Sequence, residues 1–377
     1  MAPAAAYLTD RDGLERLFVA LRDQGRELVG PRVADGAIVY DRLQTTADLP
    51  VGWTDEQEAG HYRLRRRDDQ ALFGYVVGPQ SWKKYLFPAE TRLWRAERTE
   101  DGLRFLPDPA PEARYAFIGV RPCELAAIGI QDRVFTAGPY VDERYASLRA
   151  GAFIVAVNCA EAAATCFCPS MDTGPRSRGG HDLALTELLD DSRHAFLGEA
   201  GSEAGEAMIA ALGFPEAGVG DMADAQAASA RATEQAGRSM PVEGLREALL
   251  AQPDSPLWED IAERCLSCAN CTLACPTCFC HTIEDSGDLS GDHAERWQRW
   301  DSCFTREFSY VHGGAIRPSS GSRYRQWLTH KLATWWDQFD SSGCVGCGRC
   351  ITWCPVGIDI TAEAARFQAA SRKEPAT

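Results

Sequence analysis

The feature that constrains this chain most is a run of cysteines that occurs twice. Residues 265–280 read CLSCANCTLACPTCFC and place six thiols within sixteen residues. The first run has the spacing C-x2-C-x2-C-x3-C before a proline, with Cys265, Cys268, Cys271, Cys275 and Pro276. The second run repeats that spacing, with Cys344, Cys347, Cys350, Cys354 and Pro355. Because spacing and proline recur together, we expect both runs to fold around the same kind of centre.

The spacing indicates which centre this is. It is the signature of bacterial ferredoxins, in which three thiolates of a run hold one 4Fe–4S cluster and the fourth reaches the other cluster. Zinc is the alternative, but zinc ribbons take their four ligands as two separated pairs. The sequence therefore predicts two 4Fe–4S clusters with exchanged ligands. The first cluster site would contain Cys265, Cys268, Cys271 and Cys354, and the second cluster site Cys344, Cys347, Cys350 and Cys275.

Composition limits the remaining functions. The chain has 377 residues, 15 of them cysteine, and a net charge of −15 that argues against nucleic acid and anionic membranes as partners. No apolar stretch is long enough to span a membrane, and the N-terminus lacks the pattern of a signal peptide. We therefore expect a cytoplasmic protein without membrane insertion. In such a reducing compartment, clustered cysteines hold metal more often than they form disulfides.

The pattern of apolar residues predicts an α+β protein of two domains. Residues 117–120 and 151–157 are typical of buried strands, which indicates an N-terminal α/β domain over residues 1–240. Apolar residues at helical intervals in 241–264, and a C-terminal helix capped by Thr361, predict a mostly helical dicluster domain over residues 241–377. The 68 residues between Cys275 and Cys344 are also expected to be helical.

Four cysteines of the N-terminal half form a second group, the N-terminal thiol set: Cys123, Cys159, Cys166 and Cys168. Cys123 follows a predicted strand at a predicted helix start, where the helix dipole should lower the thiol pKa. Cys159 follows the second strand, and ligands collect at the carboxyl ends of strands in open sheets. We expect the set to hold a third Fe–S cluster. Buried, inert thiols and a zinc site are the alternatives.

Three further cysteines form the accessory thiol set: Cys278, Cys280 and Cys303. They fall one short of a conventional four-ligand metal site, which His281, Asp285 or Asp301 could complete. Simple packing near the clusters is the competing interpretation, since free cysteine behaves as a small buried hydrophobe. The arginines of the segment between the two runs either pair with carboxylates or balance the negative charge of the clusters.

Catalytic motifs are missing. The chain contains neither G-x-G-x-x-G after a strand nor G-x-x-x-x-G-K-[ST], so no dinucleotide fingerprint and no P-loop is predicted. Paired CxxC motifs of the kind that bind nickel are absent as well. We therefore assign no catalytic residue to this chain.

With these residues in hand, the chain resembles the beta subunits of cytoplasmic NiFe hydrogenases, the sulfhydrogenases, and is similar to the corresponding iron–sulfur subunit of anaerobic sulfite reductase. The resemblance covers nearly the whole chain. It rests on GVRPCELAAIGIQDRVF, NCAEAAATCFCPSMDTGP, CLSCANCTLACPTCFCHTIED, RWQRWDSCF, RPSSGSRYRQWLTHK and CVGCGRCITWCPVGID. It implies cysteines at matching positions in the family, which favours the N-terminal thiol set as cluster ligands.

The resemblance also implies a role. Such a protein relays electrons between a flavoprotein subunit that binds FAD and NAD(P)H and a catalytic subunit with a NiFe site. The alternative is the same relay feeding a sirohaem sulfite reductase. A self-sufficient Fe–S oxidoreductase and a redox-sensing Fe–S protein are hypotheses of other classes. Paired clusters with exchanged ligands favour electron passage over sensing.

Overall fold

The computed structural model describes residues 6–372 of the chain. Helices and strands alternate in its N-terminal half, and both occur in its C-terminal half, so the α+β class is confirmed. In chain order the strands are β1 (Ala6–Asp10), β2 (Glu27–Ala34), β3 (Ala37–Arg42), β4 (Trp53–Glu58), β5 (His61–Arg66), β6 (Glu90–Thr99), β7 (Gly102–Pro107), β8 (Tyr115–Val120), β9 (Phe153–Val157), β10 (Leu183–Leu189), β11 (His194–Ala200), β12 (His281–Gly287), β13 (His293–Trp300), β14 (Tyr310–Val311) and β15 (Gly314–Ala315).

The helices are distributed over the whole described range, and short 3-10 or π-helical turns accompany them. In chain order the α-helices are α1 (Arg11–Asp23), α2 (Lys83–Leu86), α3 (Pro122–Thr136), α4 (Glu143–Gly151), α5 (Glu203–Leu212), α6 (Val219–Gln235), α7 (Leu245–Leu250), α8 (Leu257–Arg264), α9 (Asn270–Leu273), α10 (Ser320–Thr329), α11 (Trp335–Phe339), α12 (Arg349–Thr352) and α13 (Ile360–Ser371). A π-helical turn, His330–Thr334, joins α10 to α11.

A seven-stranded sheet forms the first layer, in the order β1-β11-β10-β9-β8-β2-β3. Its centre is parallel, since β10, β9, β8 and β2 pair in the same direction. Parallel strands that are covered on both faces are apolar throughout, as the fully buried β9 shows. Val155 packs with α1 and α5 on one face, and its neighbour Ile154 packs with α3 and α4 on the other. The carboxyl ends of β8 and β9 therefore lie side by side.

The second sheet contradicts the expectation of helices throughout the segment between the runs. Its order is β12-β13-β6-β7, so a hairpin from residues 281–300 pairs with strands from residues 90–107. The turn at 288–292 contains Gly291 with φ of 72°, which suits a hairpin and not a helix. This sheet joins residues on both sides of position 240, and the division of the chain there stays a prediction.

The helices of the C-terminal part enclose a second core around α7, α8, α10 and α13. Trp258 and Phe367 stack at 4.0 Å between ring centroids, next to the buried Ile261 and Leu328. The expected C-terminal helix is present, but its N-cap is Asp359 and not Thr361, because the Asp359 carboxylate accepts from the amide of Thr361. Among residues 6–372, no helix has the length and apolar character needed to cross a membrane.

Candidate metal centres

The two runs fold into the same turn. Ser267 in the first run and Gly346 in the second, each two residues after the leading cysteine, have φ of 51° and 66°. Their amides lie 3.4 Å from Cys265 Sγ and 3.5 Å from Cys344 Sγ, respectively. The residues two further on also have positive φ in both runs. The repeated spacing thus corresponds to a repeated loop that wraps backbone N–H groups around a sulfur.

One cavity gathers the four cysteines predicted for the first cluster site. They come from the end of α8, from the turn before α9, from α9 itself and from the residues after α12. The cysteines that line it are Cys265, Cys268, Cys271 and Cys354. Phe304, Tyr324 and Trp327 line its apolar wall, and Cys350 of the second run also reaches it. Because Cys268 is exposed, this site lies near the surface.

The four cysteines of the second cluster site are also neighbours, and they lie deeper in the molecule. Burial is the main cause that raises the pKa of Cys344, Cys347 and Cys350, to about 12 for Cys344. Cys275 is close enough to raise the pKa of Cys344, Cys347 and Cys350 further. The fourth cysteine of the first run therefore lies with the second run, and Cys354 of the second run lies with the first. These positions are compatible with the exchange of ligands, which stays a prediction.

A buried lysine lies beside the second cluster site. Lys331 Nζ is 3.3 Å from Cys275 Sγ, and it donates to Thr277 Oγ1 at 3.0 Å and to the Gly343 carbonyl at 3.1 Å. Burial alone would lower the pKa of Lys331, but the neighbouring thiolate of Cys275 reverses the direction and raises it. Lys331 is therefore an ammonium that neutralises negative charge at this site.

The chemistry of this donor set fits iron–sulfur clusters. Burial raises the pKa of Cys271 and Cys350 well above the usual range of a thiol. Thiolates form in such surroundings only beside compensating positive charge, which a bound metal provides. Amides that point at sulfur, such as those of Ser267 and Gly346, are the donors that tune clusters of this kind.

The four cysteines of the N-terminal thiol set come together at the carboxyl ends of β8 and β9, as the positions of the predicted strands indicate. Cys123 is the second residue of α3, directly after β8, and Cys159 follows β9. Cys166 and Cys168 lie in the loop and 3-10 turn that follow. Besides burial, Cys168 and Cys159 both raise the pKa of Cys123, and Cys159 and Cys166 raise the pKa of Cys168. The four thiols thus share one buried site.

The expected effect of the helix start on Cys123 is wrong. Burial raises the pKa of the Cys123 thiol, and the neighbouring Cys168 raises it further, so the helix N-terminus does not make it a thiolate. Burial also raises the pKa of the Cys166 thiol, to about 12. The desolvation of a fully enclosed thiol outweighs the dipole of one helix turn. Positive charge comes instead from the buried Arg121, a close neighbour of Cys159.

The N-terminal thiol set and the second run are in direct contact. The Phe167 amide donates to the Gly346 carbonyl at 2.9 Å, and Thr173 Oγ1 donates to the Val345 carbonyl at 2.6 Å. A Cβ on Gly346 would lie 2.6 Å from the Cα of Cys168, so glycine is required there by space as well as by φ. Cys347 of the second cluster site is an electrostatic neighbour of Cys123, Cys166 and Cys168.

A buried ion pair ties these two sites together. Arg349, inside the second run, donates to Glu124 Oε1 at 2.5 Å, and both side chains are almost completely buried. Arg349 also donates to the Gly78 carbonyl at 2.9 Å. The other Glu124 oxygen accepts from Tyr40 Oη at 2.7 Å and from Trp82 Nε1 at 3.0 Å. A carboxylate beside Cys123 is thereby held fully hydrogen-bonded.

The accessory thiol set lines a separate cavity. The residues that the sequence suggested as a fourth ligand lie outside it. Asp285 pairs with Arg296 at 2.6 Å on the exposed hairpin, and His281 Nδ1 lies 3.1 Å from the Phe279 carbonyl. Asp301 contributes its backbone amide to the Cys280 carbonyl. Within residues 6–372, no three Cys, His, Asp or Glu side chains lie close enough to hold a single metal ion, in this cavity or at the other sites.

Sequence reasoning missed the buried cations. The arginines between the runs pair mainly with carboxylates, as Arg296 and Arg299 do. The cations next to the thiols are two lysines and two arginines from distant positions. They are Lys83, Arg121, Lys331 and Arg349. The sequence could have indicated Arg121 and Arg349, because each lies within two residues of a cysteine. Lys83 and Lys331 have no cysteine so close in the sequence.

Comparison with known proteins agrees with this geometry. The family described as a 4Fe-4S dicluster domain matches residues 264–358, which contain both runs. The chain is 29% identical over 280 residues to "Sulfhydrogenase 2 subunit beta" of Pyrococcus furiosus, covering 74% of this chain and 79% of the relative. No solved structure matches the chain significantly. The dicluster domain and its cysteines make iron–sulfur clusters the cofactor. The chain is thus similar to a sulfhydrogenase beta subunit and contains a region that matches a 4Fe-4S dicluster domain.

Proposed function

We propose that this chain is the electron relay of a hydrogenase complex, carrying electrons between a flavoprotein subunit that binds FAD and NAD(P)H and a NiFe catalytic subunit. The observation that carries the proposal is the row of thiol sites in contact with one another. The N-terminal thiol set adjoins the second cluster site through Cys347, and the second adjoins the first through Cys350. Three adjoining thiol sites suit a path for electrons better than a pocket for a substrate.

In this proposal the first and second cluster sites hold one 4Fe–4S cluster each, and the N-terminal thiol set holds a third. Such clusters supply one-electron redox chemistry over a wide range of potentials. The protein's own residues bury the ligands, direct amides at the sulfurs and place cations nearby. Arg121 lies beside the N-terminal thiol set, and Lys331 and Arg349 lie beside the second cluster site. Positive charge at these places favours the reduced state of a cluster.

The printed name of the Pyrococcus relative favours a hydrogenase over a sulfite reductase as the complex. A sirohaem sulfite reductase would use the same row of sites, and co-purification of the catalytic subunit distinguishes the two complexes. The absence of a nucleotide fingerprint in the sequence agrees with a flavin on a partner protein. The chain alone should therefore turn over neither NAD(P)H nor hydrogen.

The experiment substitutes serine for Cys166 and Cys168 in the assembled complex. Three activities are compared: NAD(P)H with an artificial acceptor, hydrogen with an artificial dye, and the coupled reaction. We expect the coupled rate to fall at least tenfold while both partner half-reactions persist. Ser170→Ala, in the same loop, is the matched control, because its Oγ donates to the exposed Ser239 and not to a thiol. An unchanged coupled rate in the double variant would show that these thiols only pack.

A further inference from the structure

The accessory thiol set surrounds a cavity that the proposed relay does not use. The wall contains the three thiols together with Phe279, Trp327, His330, Lys331 and Trp335. Cys278 and Cys280 precede β12 and Cys303 follows β13, so the hairpin brings them together. The Asp301 amide donates to the Cys280 carbonyl at 2.9 Å, which closes the base of this hairpin. Cys280 and Cys303 are direct neighbours.

Two buried donors on this wall have no partner among the described residues. The indole N–H groups of Trp327 and Trp335 make no hydrogen bond, although the side chains are only 4% and 1% exposed. A buried N–H without an acceptor is costly, and one such group requires an explanation. Both side chains line this cavity, and an acceptor bound inside it is one way to satisfy them. The inorganic sulfides of an iron–sulfur cluster accept such bonds.

The cavity also adjoins two buried ammonium groups. Lys331 forms part of its wall. Lys83, which is 4% exposed, donates to the Cys278 carbonyl at 3.0 Å and lies 3.9 Å from the centre of the Trp300 ring. Lysine is rarely buried without a negative partner. A centre held by thiolates supplies that negative charge.

A histidine provides the fourth ligand that the three thiols lack. His330 opens the π-helical turn between α10 and α11, an irregularity that is frequent at functional sites. Its Nε2 lies 3.4 Å from Gln338 Oε1, which leaves Nδ1 for a metal. A hydrogen bond from the second ring nitrogen is typical of a histidine that binds metal. The ring lies against Trp335, with centroids 4.9 Å apart.

We propose that Cys278, Cys280, Cys303 and His330 bind an additional iron–sulfur cluster of the 4Fe–4S type. No three Cys, His, Asp or Glu side chains among the described residues form a site for one metal ion, which favours a cluster over a single ion. Trp327 lines both this cavity and the first cluster site, so the new centre lies one side chain away from that site. The proposal does not depend on the relay, since iron content reports it without partner proteins.

The test replaces all three cysteines of the set by serine in the full chain, purified without oxygen. Compared with the unsubstituted protein, the triple variant should lose roughly four iron and four sulfide per chain and keep the EPR signals of both ferredoxin-type clusters. Ser286→Ala, on the exposed part of β12 and outside the cavity, is the control and should retain all the iron. A folded triple variant with unchanged iron content would overturn the proposal.

A second variant decides the matter if the triple variant does not fold. His330→Cys should keep the full iron content and lower the midpoint potential of one cluster, because a histidine ligand raises that potential relative to thiolate. Redox titration followed by EPR measures this shift. Full iron with no cluster shifted in potential would contradict ligation by His330.

Discussion

At the residue scale, the proposed relay gives the buried cations a role in how easily each cluster would accept an electron. Lys331 and Arg349 are 3% and 0% exposed and lie beside thiols of the second cluster site. Inside a protein, a charge a few ångströms from a redox centre is poorly screened. Each cation therefore stabilises the reduced form of its neighbour, which carries one more negative charge.

Lys331→Met tests this effect. Removing an ammonium 3.3 Å from Cys275 Sγ should lower the midpoint potential of the second cluster, with little change in iron content. At this distance, Coulomb's law with an effective dielectric constant near 20 gives roughly 5 kcal/mol, on the order of 200 mV for one electron. Anaerobic redox titration with EPR detection measures the shift.

The matched control is Arg325→Met on the neighbouring α10. The Arg325 side chain is 41% exposed and pairs loosely with Asp254 at 3.7 Å, so salt and water screen its charge. Its removal should leave every midpoint potential unchanged. Equal potentials for Lys331→Met and the unsubstituted protein would show that Lys331 does not act on the cluster.

Single residues also show where sequence reasoning reaches its limit. The ligands of the runs stay a prediction, which rests on the spacing of the thiols. The pKa of Cys123 could not be predicted, since desolvation depends on the loop with Cys168 that folds over it. The capping residue of α13 was misplaced by two positions because Asp359 and Thr361 are both good caps, and only the backbone angles decide between them.

At the scale of elements, the proposed exchange of ligands would link the turn around α9 to the turn around α12. The two turns approach closely enough for Cys350 to line the cavity of the first cluster site. The buried pair of Arg349 and Glu124 then fixes α12 against α3. Breaking such a pair by removing one partner is expected to destabilise a protein by about 3–5 kcal/mol. These contacts hold neighbouring thiol sites in one rigid arrangement.

Cys275→Ser tests the exchange. We expect it to damage the cluster of Cys344, Cys347 and Cys350 and to spare the cluster nearest in sequence, because Cys275 lies among the thiols of the second run. EPR of the reduced variant shows which signal is lost. Cys354→Ser is the mirror-image control and should damage the first cluster instead. Loss confined to the first cluster in Cys275→Ser would contradict the exchange.

The hairpin of β12 and β13 is the element that sequence reasoning placed wrongly. Its strands are mostly polar and partly exposed, so no apolar period marks them as strands. Pairing with β6, which lies far earlier in the chain, stabilises it as a strand. Such long-range partners override local propensity, and only the folded chain reveals them.

At the scale of the whole molecule, the N-terminal α/β part and the C-terminal part with the two cysteine runs pack directly against each other. The shared sheet, the ion pair at Arg349 and the contact of Gly346 with the loop around Cys168 all cross position 240. The α+β class and the strands that carry the N-terminal thiol set followed from apolar patterning. The mutual arrangement of the two parts did not, because it depends on contacts between distant segments.

The central claim is that this chain holds at least two 4Fe–4S clusters through its repeated cysteine runs. The most direct measurement is the content of iron, zinc and acid-labile sulfide in the chain purified without oxygen. The account predicts at least about eight iron and eight sulfide per chain from the two runs, with further iron if the N-terminal and accessory thiol sets are occupied. Stoichiometric zinc with little iron or sulfide would contradict it.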